Sequence, residues 1–162
     1  MNELANPLEL CGFEFIEFVA KDKELDEIFQ TIGFSKVAKH KSKNVYLWRQ
    51  GNINIILNYQ PESAAAYFFK EHGPSACAMG FRTNDAAKAF NKAIELGAEP
   101  IYSKIGPMEL NIPAIKGIGG SPIYLVDRDI YQSDFIFFDD VASHPVGTGL
   151  KEIDHLTHNV YK

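Results

Sequence analysis

The residues best suited to metal chemistry are two histidines near the end of the chain, His155 and His158. They lie in a stretch, residues 153–161, that is typical of a β-strand. Side chains alternate between the two faces of a strand, so residues three apart point to opposite faces. At most one of the two histidines could therefore bind a given metal ion, and its partner ligands would have to come from elsewhere.

A second candidate for chemistry is the glycine-rich stretch GIGGS at residues 117–121. A phosphate-binding loop needs backbone N–H groups that open onto a helix, usually followed by a lysine and a hydroxyl residue. Here Pro122 and a strand-like run follow instead. The stretch therefore predicts a tight turn between strands and not a phosphate site.

The sequence contains no recognisable nucleophile motif. Cys11 and Cys77 are too few for a disulfide framework and are predicted to be free thiols, as in a reducing cytoplasm. Glu14 and Glu17 are expected on opposite faces of one strand, which makes them a poor acid/base pair. These residues alone do not identify a catalytic reaction.

The elements that would position these residues repeat after 64 residues. Residues 13–19 and 77–83 each predict a strand, and each is followed by an amphipathic helix. The first helix is predicted to end at Gly33 and the second at Gly97, because glycine adopts left-handed backbone angles without steric cost. The matching positions of these two helix-ending glycines therefore support an internal duplication.

Helix caps and connections complete the two halves of the repeat. Asp22 is predicted to cap the first helix, and Asn84 or Asp85 the second. Residues 61–72 predict a short helix that bridges the halves. Residues 106–122, with four glycines and three prolines, are predicted to be less regular.

Strands are predicted to follow each helix. Residues 45–48 and 53–58 flank a hairpin turn at 49–52, and the pair is expected to have one apolar side. In the second half, strands are predicted at 123–126 and 135–138. A basic run around residues 36–43 is expected to form a solvated sheet edge.

This order predicts an α+β fold with two β-α-β-β-β units, at about residues 11–60 and 76–128. Residues 1–142 are expected to form one domain, followed by a turn-rich linker at 143–152. Residues 153–162 are expected to be the first strand of a further, truncated unit.

Composition excludes several classes of protein. The chain has 162 residues, 46% of them hydrophobic, which is enough for one self-sufficient domain. Its 16 basic and 21 acidic residues give a net charge of −5, which argues against a nucleic-acid partner. The apolar runs are too short to cross a membrane, and the start lacks a signal-peptide pattern. We therefore expect a cytoplasmic protein.

Five stretches together resemble bacterial 4-hydroxyphenylpyruvate dioxygenases. Four resemble the amino-terminal half of that family, and the last resembles the start of its catalytic half. They are GFEFIEF (12–18), KSKNVYLWRQGNINIILN (41–58), EHGPSACAM (71–79), GPMELNIPAIKGIGG (106–120) and IDHLTHNVY (153–161).

The resemblance implies the vicinal-oxygen-chelate fold of glyoxalases, bleomycin-resistance proteins and related dioxygenases, built from β-α-β-β-β units. It also implies a cytoplasmic dimer or tetramer that uses Fe(II), O₂ and an α-keto acid substrate. The products would be homogentisate, a pigment precursor formed in tyrosine catabolism, and CO₂.

The resemblance further implies that His155 is the first of three iron ligands, a pair of histidines and a glutamate. The second histidine and the glutamate belong to the catalytic half, which this chain lacks, and His158 lies outside the ligand set. No residue in 1–150 matches a catalytic position of the family. We therefore expect this chain to be inactive alone and to bind no iron.

Two alternatives stay open at this point. Hydroxymandelate synthase shares the fold, the iron and the substrate but makes a different product. A metal-free small-molecule-binding resistance protein of the same fold would need no iron ligands. A downstream reading frame that supplies a histidine and a glutamate at strand positions would favour the dioxygenase.

Overall fold

One nine-stranded mixed β-sheet organises the molecule, in a computed structural model that describes residues 5–102 and 110–158. Helices lie beside this sheet, so the predicted α+β class is confirmed. Part of the predicted irregular stretch, residues 106–109, lies outside the described residues. Among the helices of the described ranges, none is long and apolar enough to cross a membrane.

Both predicted β-α-β-β-β units are present. The first consists of β1 (Leu10–Val19), α1 (Glu24–Thr31), β2 (Ser35–His40), β3 (Val45–Gln50) and β4 (Ile53–Asn58). A bridging helix, α2 (Ala64–His72), leads to the second unit. That unit consists of β5 (Ser75–Thr83), α3 (Ala86–Glu95), β6 (Pro100–Ile101), β7 (Ala114–Lys116) and β8 (Pro122–Val126). The chain then forms α4 (Tyr131–Asp134) and β9 (Phe135–Phe137).

The strand order is β6-β7-β8-β5-β1-β4-β3-β2-β9. In each unit the first strand pairs in parallel with the last, β1 with β4 and β5 with β8. The two first strands pair antiparallel at the centre, so the units extend in opposite directions from the β1–β5 pair. Strand β9 returns from the end of the second unit and pairs with β2 of the first.

The return of β9 corrects the expectation that the basic run at 36–43 forms a sheet edge. Backbone pairing of Ala38 with Phe137 and of His40 with Phe135 covers the outer side of β2. His40 is buried, and the Lys41 ammonium group reaches the carbonyl oxygen of Ser133. The edge prediction was wrong because the covering strand lies about a hundred residues away in the sequence.

The caps of the helices largely follow the sequence. Asp85 caps α3, and its carboxylate accepts the N–H of Lys88 at 2.8 Å. Asp22 is not the N-cap of α1, which is Lys23, although the Asp22 carboxylate accepts the N–H of Glu24 at 3.2 Å. The predicted turn at 117–121 is confirmed as a short 3₁₀ turn between β7 and β8.

The β3–β4 hairpin differs from the prediction in two ways. Strand β3 runs through Gln50, so the turn consists only of Gly51 and Asn52. The pair is apolar on both faces, because Leu47 packs in one core cluster and Trp48 in another. One face is covered by α1 and the other by the segment around α4. The alternation of apolar residues within the hairpin does not indicate that both faces are covered.

The predicted linker, residues 143–152, is held against the first unit by one buried side chain. Gln50 is fully buried, and its Nε2 donates to the carbonyl oxygen of Ile32 at 3.1 Å. Its Oε1 accepts the hydroxyl of Thr148 at 3.1 Å and the N–H of Leu150 at 3.0 Å. We call residues 145–150 the docked segment.

Residues 153–158 form no strand in this structure, and residues 159–161 of the predicted closing strand lie outside the described residues. That residues 153–162 begin a further unit stays a prediction. A strand needs a neighbour to satisfy its backbone, and no free partner strand lies beside this segment in the described ranges. Ile153 instead packs against the core cluster that contains Trp48.

The two helix-ending glycines provide a matched test of the docked segment. Gly33 and Gly97 have nearly the same positive φ, 95° and 97°, so alanine at either position costs roughly 1–2 kcal/mol. A Cβ on Gly33 would lie 2.7 Å from the Thr148 side chain, whereas one on Gly97 meets nothing within 4 Å. We expect Gly33→Ala to lower the free energy of unfolding more than Gly97→Ala, as measured by urea denaturation.

Gly33→Ala is also expected to speed proteolytic cleavage within the docked segment, because the added methyl group displaces Thr148. Gly97→Ala is the control and leaves that cleavage rate unchanged. Equal cleavage rates in the two variants would contradict the role assigned to this contact.

Candidate functional site

The sheet has one face, here called the inner face, that carries Phe15, Leu47 and Ile56. In and beside α4, Ile130, Tyr131 and Phe135 belong to the same buried cluster as these side chains. Two cavities of about 830 and 840 Å³ lie on either side of α4. Tyr131 of α4 lines the first cavity, and Asp134 of the same helix lines the second.

The first cavity is built around Arg49, and we call it the Arg49 cavity. Arg49 is only 5% exposed, because β3 places it on the inner face beneath residues 143 and 144. Its Nε donates to Asn54 Oδ1 at 2.7 Å, and its Nη1 donates to the Ser143 carbonyl oxygen at 2.9 Å. The guanidinium carbon also lies 5.0 Å from the ring centroid of Tyr131.

The carboxylates of the Arg49 cavity already have partners. Glu14 accepts a hydrogen bond from Arg82 Nε at 2.7 Å, and Asp127 accepts one from Arg128 Nε at 2.8 Å. Asp129 accepts the N–H groups of residues 131 and 132 at the start of α4. Burial lowers the pKa of the Arg49 guanidinium, partly offset by attraction to the surrounding acidic groups.

The second cavity contains Glu17, and we call it the Glu17 cavity. The Asn58 amide donates to Glu17 Oε1 at 2.7 Å. Burial raises the pKa of Glu17, while the hydrogen bond from Asn58 and the charge of Lys43 act in the opposite direction. Asp134 Oδ1 is buried and has no hydrogen-bond partner within the described ranges.

The walls of the Glu17 cavity are otherwise mostly apolar, formed by side chains such as Phe15, Tyr124 and Phe135. His40 also lines this cavity, and its Nδ1 accepts the backbone N–H of Ser42 at 3.2 Å. A few polar groups within apolar walls are typical of cavities that bind small molecules.

The structure separates the two glutamates considered from the sequence. Glu14 lines the Arg49 cavity and Glu17 lines the Glu17 cavity, so they do not form an acid/base pair. The cysteines are both free, as predicted: Cys11 is exposed and Cys77 is buried. Burial raises the pKa of the Cys77 thiol, which makes it a poor nucleophile.

His155 and His158 are both exposed and lie away from the two cavities. The Nδ1 atom of His155 lies 2.6 Å from a carboxylate oxygen of Asp154. Within the described ranges, no group of three or more His, Cys, Asp or Glu residues could hold a metal ion. The assignment of His155 as an iron ligand therefore stays a prediction.

The cavity residues were not predicted from the sequence, although the sequence contains one signal for them. Arg49, Asn54 and Asn58 interrupt an apolar hairpin, and a polar side chain within a buried strand needs a partner or a cavity. The pairing of β1 with β4 that surrounds them could not be read from local sequence.

Comparison with known proteins identifies relatives of the whole chain. A family model described as "Hydroxyphenylpyruvate dioxygenase, HPPD, N-terminal" matches residues 4–141. The 4-hydroxyphenylpyruvate dioxygenase of Pseudomonas sp. (strain P.J. 874) is 58% identical over 97% of this chain and 46% of its own length. The chain thus spans about half the length of the curated relatives it matches.

Solved structures agree with this fold. A xylose isomerase-like TIM barrel/4-hydroxyphenylpyruvate dioxygenase fusion protein superposes with a TM-score of 0.79 at 36% identity, over 93% of this chain and 25% of that one. A mutant 4-hydroxymandelate synthase from Streptomyces coelicolor gives a TM-score of 0.66 at 16% identity, over 89% of this chain and 45% of that one. The vicinal-oxygen-chelate fold expected from the sequence is confirmed.

The raised pKa of Glu17 makes a prediction about pH. A carboxyl group whose pKa is higher in the folded state stabilises the fold below its unfolded pKa, and this contribution is lost as the pH rises through the folded pKa. Glu17→Gln removes the titration but keeps an oxygen that can accept from Asn58. We expect this variant to gain stability relative to the wild type as the pH rises above about 4.3.

Urea denaturation at a series of pH values measures this difference. Glu62→Gln is the control, since Glu62 is exposed at the rim of the same cavity. If the two variants show the same pH dependence, the burial argument for Glu17 is wrong.

Proposed function

The chain belongs to the family of hydroxyphenylpyruvate dioxygenase amino-terminal domains, and from this premise we propose that it forms part of an Fe(II)-dependent 4-hydroxyphenylpyruvate dioxygenase. The complete protein would convert 4-hydroxyphenylpyruvate and O₂ to homogentisate and CO₂ in tyrosine catabolism. Homogentisate would also serve as a pigment precursor.

The observation that carries this proposal is the 58% identity to a 4-hydroxyphenylpyruvate dioxygenase across nearly the whole chain. Hydroxymandelate synthase receives less support, because the similarity at 16% identity concerns the fold alone. A metal-free binding protein receives less support because the relatives that cover this chain and bear the dioxygenase name are about twice its length.

In the complete enzyme this chain would supply the non-catalytic domain, with the layout expected from the sequence. Residues 1–142 would form that domain, 143–152 the connection, and 153–162 the start of the catalytic domain. The domain would pack against the catalytic half and take part in a dimer or tetramer. The compartment would be the cytoplasm.

The described residues do not fit an iron site of their own, because no three potential ligands come together. One imidazole is too few to hold Fe(II) usefully, since non-haem iron oxygenases bind the metal through two histidines and a carboxylate. We propose that His155 is one of these ligands in the complete protein and that the other two come from the catalytic half. The chain alone would then be inactive.

Oxygen uptake with 4-hydroxyphenylpyruvate and Fe(II) tests the activity. We expect turnover by the complete protein, with homogentisate as the product identified by mass spectrometry, and none by the 162-residue chain. If the product is hydroxymandelate, the complete protein is a hydroxymandelate synthase and not the dioxygenase. Turnover by the short chain would contradict the need for the missing ligands.

Iron content tests the role of His155 separately from activity. We expect His155→Ala in the complete protein to lose most of its bound iron, because one of three protein ligands is removed. His158→Ala is the matched control and should retain it, since His158 lies outside the proposed ligand set. Equal iron content in the two variants would exclude His155 as a ligand.

A further inference from the structure

We propose that the Arg49 cavity binds a small monocarboxylate through the guanidinium group of Arg49. The site is formed by this chain alone, and it does not depend on the iron chemistry proposed for the complete protein. Its residues all lie within the described ranges.

Arg49 carries a buried positive charge, and no carboxylate among the described residues is in contact with it. Arg49 is 5% exposed, yet its hydrogen bonds go to an amide oxygen, a backbone carbonyl and the ring of His144. The desolvation of an ion is costly unless a counter-charge offsets it. An anion placed beside Arg49 would supply that counter-charge.

One end of the Arg49 guanidinium group has no hydrogen-bond partner among the described residues. Nε is used by Asn54, and Nη1 by Ser143 and His144. Nη2 makes no hydrogen bond to any described residue, and it is not among the polar atoms sealed from the cavity. Its two N–H groups can therefore donate to an oxygen atom that enters the cavity of about 830 Å³.

The acidic groups around the cavity already have partners other than Arg49. Glu14 is paired with Arg82, Asp127 with Arg128, and Asp129 with backbone N–H groups of α4. None of them forms an ion pair with Arg49. An incoming anion would thus not need to displace an existing carboxylate from Arg49.

The charge of the cavity also selects the kind of anion. Three carboxylates, Glu14, Asp127 and Asp129, line the same cavity, so a doubly charged phosphate would be repelled more strongly than a singly charged carboxylate. The rings of Tyr131 and Phe137 lie 5.0 and 5.6 Å from the guanidinium carbon. These rings offer apolar contact to a carboxylate that carries an aromatic group.

Benzoate is therefore the probe, and the 162-residue chain is the sample. In ¹H–¹⁵N NMR spectra we expect saturable shifts of the Arg49 Nε–H signal and of the backbone amides of Ser143 and Gly51. Inorganic phosphate is expected to bind more weakly than benzoate. No saturable shift with benzoate, or tighter binding of phosphate, would overturn the proposal.

Two variants separate this site from general charge attraction. Arg49→Gln should weaken benzoate binding by about tenfold or more, because a charge-assisted hydrogen bond is lost. Lys116→Gln removes the same charge from β7, where Lys116 pairs with Glu99, and should change the affinity less than about twofold. Equal weakening in the two variants would contradict the assignment.

Arg49→Gln could also loosen residues 143 and 144, so its fold is checked by thermal unfolding. If that variant does not fold, the NMR shifts of the wild-type chain with benzoate still test the proposal. Shifts centred on Arg49, Tyr131 and Phe137 support the site, and shifts spread over surface lysines overturn it.

Discussion

The antiparallel pairing of β1 with β5 is the constraint on which the rest of the structure depends. Ile16 of the first unit lies opposite Met79 of the second, and the other strands of each unit extend outward from this central pair. The pairing joins a four-stranded sheet, β6-β7-β8-β5, to a five-stranded one, β1-β4-β3-β2-β9, and makes the inner face continuous. Helix α4 packs on this continuous surface, and one cavity lies on each side of it.

The packing of α4 on the inner face determines where the two cavities and their polar groups lie. Tyr131, inserted between the cavities, contacts the first unit through its ring above Arg49 and its hydroxyl near the Glu14 carbonyl oxygen, at 3.3 Å. The same insertion fills the middle of the face with apolar side chains. Glu14 and Glu17 line different cavities on either side of this apolar middle, so they lie in separate environments.

The features that could be predicted from the sequence are those determined by interactions between neighbouring residues. The duplicated order of elements, the cap at Asp85 and the glycine after each helix depend on neighbouring residues, and the structure confirms them. The burial of Arg49, the path of the docked segment and the pairing of β9 depend on contacts between residues about a hundred positions apart. Periodicity carries no information on such contacts, so these features had to come from the three-dimensional structure. His155 shows a different limit: no group of three or more His, Cys, Asp or Glu residues in the described ranges could hold a metal ion, so its role as a ligand stays a prediction.

The strands at the two sheet margins also restrict how copies of this domain can associate. In the part of the chain that the structure describes, β6 has two residues and β9 has three, so these strands offer very few backbone groups to another molecule. Short marginal strands are a common protection against uncontrolled sheet extension. Pairing of strands between copies is therefore disfavoured at β6 and β9. Association would depend instead on the shape and charge of side-chain surfaces.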